Sequence, residues 1–218
     1  MINRGARFTC EALLFDLDGV LVDSIMSVEH TWRLWAVRHG LDLDAILSAA
    51  HGRRAVDTVH LVAPHLDAAA EVVALAAQEA TATQGLSEVA GASSLLAGLP
   101  PDRWAVVTSG DRPVAEHRLQ HVGLPMPRVM ICGDEVSRGK PDPEGYLAAA
   151  AKLGIAPGAC VVVEDAPSGI EAAHNAGMRV IAVAATHTPE RLQAADAVIE
   201  TLSALTVRVL IDGLELCS

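Results

Sequence analysis

The stretch Ala12-Leu13-Leu14-Phe15-Asp16-Leu17-Asp18-Gly19 joins four apolar residues to two carboxylates in alternate positions and a glycine. A short apolar run without alternation reads as a strand buried on both faces, and such strands belong to parallel sheets covered by helices. Four further runs share the pattern, at residues 104–107, 128–131, 160–163 and 180–183. Segments of helical period separate them. Gly123 and Gly177 are expected to end two helices as left-handed C-caps. Asp142-Pro143 and Thr188-Pro189 each read as an N-cap followed by proline at the first helical position. Strand and helix alternating in this way specify an α/β fold with a doubly wound parallel sheet.

Residues 24–87 break that rhythm, reading as helix after helix with no strand. One helix is expected over 25–39, stopped by Gly40, a second over 55–62, stopped by Pro64, and a third over 67–83. Trp32 and Trp35 are three apart, so they share a helix face and are read as packing against each other or a core. The expected organisation is therefore a core of residues 1–23 and 88–218 carrying an inserted all-helical domain, 24–87. The run at 207–216 stays open between an edge strand and a loosely packed tail.

The chain has 218 residues, 51% of them hydrophobic and only 3% aromatic, so its core must be built from Ala, Val, Leu and Ile. A net charge of −11 argues against nucleic acid or an anionic membrane as a main partner. It also means that any anionic substrate needs a local positive site. Lysine is scarce: Lys140 and Lys152 stand against fourteen arginines. The four cysteines are far apart, without a Cys-x-x-Cys pair, and read as reduced thiols. Arg4 and Arg7 precede an apolar run that Asp16 and Asp18 interrupt, so neither a signal peptide nor a membrane span is expected. A cytoplasmic protein, monomeric or weakly dimeric, is the expectation.

In an open α/β sheet, ligands bind beyond the carboxyl ends of the strands. Asp16 and Asp18 follow the first strand, Thr108-Ser109-Gly110 the second, a loop with Gly139-Lys140-Pro141 the third, and Glu164-Asp165 the fourth. The fifth is followed by Ala184 and Ala185, which offer no chemistry. Clustered carboxylates repel unless a cation separates them, and Mg²⁺ prefers such hard oxygen ligands. The Thr108 hydroxyl, the amides of Ser109 and Gly110, backbone amides beyond Asp16 and the Lys140 ammonium are suited to an anionic phosphoryl group.

These segments resemble the haloacid dehalogenase superfamily over essentially the whole chain. Residues 15–24 (Phe-Asp-Leu-Asp-Gly-Val-Leu-Val-Asp-Ser) look like its first motif and 106–110 (Val-Val-Thr-Ser-Gly) like its second. Residues 139–143 (Gly-Lys-Pro-Asp-Pro) are similar to the third and 161–173 to the fourth. The resemblance implies a Rossmann-like core with the helical insert as a cap. It implies Asp16 as the nucleophile that forms an aspartyl-phosphate, and Asp18 as general acid and then base. Thr108 and Lys140 would bind the phosphoryl group. Mg²⁺ would be held by the Asp16 side chain, the Asp18 carbonyl and Asp165, with Glu164 supporting through water.

The branches of the superfamily differ at identifiable residues. Dehalogenases lack a carboxylate where this chain has Asp18, and phosphonate-cleaving members use a cap lysine, of which 24–87 has none. The β-phosphoglucomutase branch carries a cap histidine and lysine where this chain has Val28 and His51. The insert around His51-Gly52-Arg53-Arg54 and the segment 104–110 look like bacterial sugar-phosphate phosphatases and the glycerol-phosphate and 2-deoxyglucose-6-phosphate phosphatases of yeast. The expected activity is Mg²⁺-dependent hydrolysis of a small sugar or polyol phosphate, with His51 and Arg54 touching substrate. A phosphosugar isomerase and a non-catalytic phosphometabolite-binding protein are the alternatives.

Overall fold

The computed structural model describes residues 6–218. Arg4 lies outside the described residues. The chain opens with β1 (Arg7–Cys10) and β2 (Ala12–Phe15), then β3 (Val22–Asp23). Four helices follow: α1 (Ile25–His39), α2 (Leu43–Ala50), α3 (Ala55–Val62) and α4 (Ala68–Glu79). After β4 (Ser87–Glu88) and α5 (Ala92–Ala97) the alternation begins, with β5 (Trp104–Val107), α6 (Arg112–His121), β6 (Met130–Ile131) and α7 (Glu144–Leu153). It continues through β7 (Cys160–Glu164), α8 (Pro167–Asn175), β8 (Arg179–Val183) and β9 (Ala197–Ile199), and ends in β10 (Thr206–Val209) and β11 (Leu214–Cys217).

Six of these strands form one parallel sheet in the order β6-β5-β2-β7-β8-β9. Leu13 pairs with Trp104 on one side and Val161 on the other, so β2 has a neighbour along each edge. The chain runs outward from β2 in both directions, which places the topological switch point beside it. Asp16, the residue after β2, therefore stands in the middle of the carboxyl edge. Successive residues of a strand face opposite sides, and the core divides accordingly. Leu13, Phe15, Val161 and Val163 pack on one face with Leu95, Leu96 and Leu119, while Leu14, Val162, Val180 and Ala182 pack on the other with Tyr146 and Ile170. The aliphatic composition suits this, because each strand must bury both rows of side chains.

Helices α1–α4 enclose a third cluster around Trp32, Trp35, Ile46, Val59 and Leu75. The two tryptophans meet edge to face, centroids 5.3 Å apart at 86°, and Trp35 Nε1 donates to Glu71 Oε2 at 2.8 Å. Where the chain leaves for these helices and returns from them, β3 and β4 pair as a two-stranded antiparallel ribbon. Gly40 ends α1 in the left-handed region at φ 65°.

Several expectations needed correction. The helix over 43–50 was missed because Leu41-Asp42-Leu43-Asp44 alternates with a period of two and hides a start at which Asp42 caps Asp44. The helix expected over 67–83 ends at Glu79. Thr188-Pro189 opens no helix but a run of turns that buries Leu192. Only Met130 and Ile131 of the run 128–131 pair with β5. The run at 207–216 becomes the hairpin β10–β11, whose second strand pairs antiparallel with β1. All four cysteines are free, and no helix among the described residues is long and apolar enough to cross a membrane.

Leu13 is 0% exposed and Ile211, at the hairpin tip, is 97% exposed. Leu13→Ala is expected to cost about 2–5 kcal/mol through lost transfer energy and an unfilled cavity. Ile211→Ser is expected to stay within about 0.5 kcal/mol of the parent. Urea unfolding midpoints measure both.

Candidate active site

Asp16 is fixed first by its backbone, its amide donating to the Val163 carbonyl of β7 at 2.9 Å. The chain then turns back so tightly that the amides of Leu21 and Val22 both donate to the Leu17 carbonyl, at 2.9 Å each. The turn depends on Gly19, at φ 82°, where a Cβ would also collide with the Asp165 carboxylate. Lys140, 8% exposed, reaches in from the loop after β6. Its Nζ donates to Asp16 Oδ1 at 2.5 Å, Glu164 Oε1 at 2.6 Å and the Val107 carbonyl at 3.2 Å, using all three donors.

Glu164, the last residue of β7, is saturated. Oε1 accepts from Lys140 and from the Tyr146 hydroxyl at 2.9 Å, and Oε2 from the amides of Asp165 and Ala166 at 2.8 and 2.9 Å. Beside its expected support of a metal through water, it anchors Lys140. Gly169 leaves room for it, since a Cβ there would overlap the carboxylate. Asp165 Oδ2 accepts from the Thr186 hydroxyl, which also meets His187 Nδ1 at 2.9 Å.

Asp16, Glu164 and Asp165 each bring an oxygen within 4.8 Å of the others. Burial, opposed by Lys140 but reinforced by Glu164 and Asp18, pushes the Asp16 carboxyl up to about 7. Burial and the neighbouring Glu164 and Asp16 push Asp165 well above the usual carboxylate range. Glu164 goes the other way: burial works against its charge, but Lys140 and the two amides outweigh it and hold it below the ordinary value. One carboxylate is therefore satisfied and two carry uncompensated repulsion. Such a set of hard oxygens fits a divalent cation, which would relieve Asp16 and Asp165 together.

Asp18 Oδ1 accepts from the Ser24 hydroxyl at 2.6 Å and from Arg118 Nη1 at 2.7 Å. Thr108 Oγ1 accepts from the Gly110 amide at 3.0 Å, so that amide, expected to face an anion, is already occupied. The Ser109 hydroxyl donates to the Gly52 carbonyl at 2.9 Å and ties the helical segment to the sheet. Among the described residues nothing accepts from the amides of Leu17, Asp18 and Ser109, which with the Thr108 hydroxyl are among the donors open to an anion.

A cavity of about 120 Å³ lies between this edge and helices α1–α4. Asp16, Asp18, Thr108 and Arg118 line it from below, and Val28, Trp32, His51, Arg53, Leu75 and Glu79 from above. His51 borders the cavity, with its ring edge-on to His187 at 5.8 Å. Arg54 does not border it. Its guanidinium is held by Asp57 at 2.7 and 2.9 Å and by the Val136 carbonyl at 2.8 Å, and it is Arg53 that faces the space.

Four residues at this site were absent from the sequence reading: Ser24, Glu79, Arg118 and Thr186. The signal for Arg118 was available, because it falls on the buried stripe of α6 with Val114, Ala115 and Leu119, and a charge on an apolar stripe asks for a partner. His187 Nδ1 approaches the Asp165 carbonyl at 3.2 Å. The loop after β8 thus carries chemistry that Ala184 and Ala185 concealed.

Comparison with known proteins agrees with this geometry. Hexitol phosphatase A of Escherichia coli (strain K12) is 46% identical over 91% of this chain and 94% of its own length. Glycerol-1-phosphate phosphohydrolase 2 of Saccharomyces cerevisiae (strain ATCC 204508 / S288c) is 35% identical over 80% of this chain and 75% of its own. The crystal structure of CbbY from Rhodobacter sphaeroides in complex with phosphate superposes with a TM-score of 0.79 at 24% identity, covering 89% of this chain and 95% of that one, which establishes the shared fold. The haloacid dehalogenase-like hydrolase model matches residues 10–177, and with the aspartates of the β2 edge inside that span the chain belongs to this family of hydrolases.

Proposed function

We propose that this hydrolase is a Mg²⁺-dependent phosphatase of small sugar or polyol phosphates, acting through an aspartyl-phosphate at Asp16. The observation that carries the reading is the state of Asp16: one oxygen is pinned by Lys140 at 2.5 Å, and the residue lines the cavity with Asp18 two positions on. Named phosphatases that are 35–46% identical over most of the chain support it. The four-helix segment, 24–87, is read as the cap over a core of 1–23 and 88–218. The cavity of about 120 Å³, with carboxylate, hydroxyl and guanidinium groups on its walls, suits a phosphate on a short polyol.

In this reading Asp16 Oδ2 attacks phosphorus and the bond from phosphorus to the substrate alcohol breaks. Asp18 gives its proton to the departing oxygen, then takes one from the water that attacks the acyl phosphate. The amides of Leu17, Asp18 and Ser109 hold the phosphoryl oxygens, and Lys140 keeps the nucleophile oriented. A Mg²⁺ ion held by Asp16, Asp165 and the Asp18 carbonyl would neutralise phosphate charge. The apolar walls at Val28, Trp32 and Leu75 exclude bulk water. His51 and Arg53 are the cap groups placed to meet substrate hydroxyls. Val28 offers no base for returning the phosphoryl group to a sugar, so water is the acceptor.

Phosphate release from a panel of hexitol, glycerol and hexose phosphates with Mg²⁺ tests the activity. The wild type should release phosphate and Asp16→Asn should lose on the order of 10⁴–10⁶-fold. No release from any member would end the hydrolase reading. Conversion of a sugar 1-phosphate to a 6-phosphate without free phosphate would favour the isomerase.

Thermal melting tests the cation site without turnover. Asp16 holds its proton to about pH 7 when folded, against roughly 3.9 unfolded. Protonation there stabilises the metal-free fold at low pH, and this contribution is lost as pH rises through about 7. Mg²⁺ competes with that proton, so its increment in Tm should be larger at pH 8 than at pH 5.5. An equal increment at both would remove Asp16 and Asp165 as its ligands.

A further inference from the structure

We propose that Arg118 is a positioning residue for Asp18 and that Glu79, on cap helix α4, holds Arg118 in that role, so that seating of the cap sets the proton-transfer carboxyl. The inference rests on the phosphatase reading and deepens it. Arg118 is 3% exposed on core helix α6. Its Nη1 donates to Asp18 Oδ1 and its Nη2 to Glu79 Oε2, each at 2.7 Å. The planar guanidinium thus joins a carboxylate of the core to one of the cap.

The pattern on Asp18 is directional. Both its donors, Ser24 and Arg118, act on Oδ1. Oδ2 has no partner among the described residues and lies 4.0 Å from where a Cβ on Gly110 would stand, beside the phosphate-facing loop. Anchoring one oxygen twice fixes the carboxyl plane and presents the other oxygen to the leaving group, the condition for efficient proton transfer. Its neighbours on that stripe are the apolar Val114, Ala115 and Leu119, so the charge at 118 answers to Asp18 and Glu79, and removing it alone would leave both carboxylates without their partner.

Glu79 explains why arginine is used. A lone guanidinium beside Asp18 has several orientations, whereas a second carboxylate on its other nitrogen leaves one. The seam between α6 and the cap has a second tie, His117 Nε2 with the Ala82 carbonyl at 2.7 Å, so Arg118 meets the cap where core and cap are already in register. Withdrawal of α4 would release Arg118, and with it Asp18, before substrate is enclosed.

Steady-state kcat/KM on glycerol 1-phosphate and on p-nitrophenyl phosphate tests this. An alkoxide must be protonated as it leaves and p-nitrophenolate need not be. Arg118→Met is expected to lose about 30–100-fold and Glu79→Gln about 5–10-fold on glycerol 1-phosphate, with both within about 3-fold of wild type on the aryl ester. Should Arg118→Met fail to fold, Glu79→Gln, which keeps the shape of the side chain, and Arg118→Lys, which keeps the charge but lacks the planar two-nitrogen fork, carry the same comparison. Equal losses on the two esters, or none, would overturn the proposal. A wild type inactive on both esters would instead overturn the phosphatase reading.

Discussion

Lys140 is the group on which the site depends. Its ammonium, buried with Asp16 and Glu164 at 2.5 and 2.6 Å, is one of two lysines in a chain of net charge −11. Two carboxylates brought together at the ends of adjacent strands would repel, and desolvation would add to that cost. Lys140 lets both stay, and in doing so it locks the loop after β6 onto β2 and β7. The surroundings are arranged to keep it there. Tyr146 from α7 shares Glu164 Oε1, two backbone amides fill Oε2, and Gly169 leaves the carboxylate its space. Glu164 is the support that keeps the ammonium in place, and Asp16 is the group that the support orients.

What Lys140 does not neutralise is the pair Asp16–Asp165. That remainder is the electrostatic reason for a divalent cation at the same spot, and it makes one arrangement serve two purposes. A proton and a divalent cation at this spot would compete for the same oxygens of Asp16 and Asp165. Charge is distributed in the same way on the other side of the cavity, where Arg118 balances Asp18 and Glu79. The positive site that an anionic substrate requires is therefore local, built from one lysine, one arginine and backbone amides inside an acidic protein.

Much of this was legible in the chain. Buried parallel strands announce themselves as short apolar runs, and the polar residues that follow each run must gather at one edge of the sheet. The placement of Asp16, Asp18, Thr108, Lys140 and Asp165 around one cavity or its rim follows from that rule. Less legible were features that depend on who meets whom across the fold. Ser24 and Thr186 are ordinary hydroxyls in sequence, and become anchors only because a turn and the loop after β8 bring them to Asp18 and Asp165. Arg53 and Arg54 are adjacent and chemically identical. Asp57 and the Val136 carbonyl capture Arg54, and that alone leaves Arg53 to face the cavity.

The sequence by itself determined the sheet, the helical run of 24–87 and which carboxylates gather at the sheet edge, because hydrophobic period and strand-end polarity are local properties. Tertiary structure decided which donors are already spent and which remain free. Glu164 proved to be engaged by Lys140, Tyr146 and two amides, the Gly110 amide was claimed by Thr108, and Arg118 emerged as the link between Asp18 and the helical segment. Hydrogen-bonding capacity is finite, and its allocation is settled only when distant segments meet.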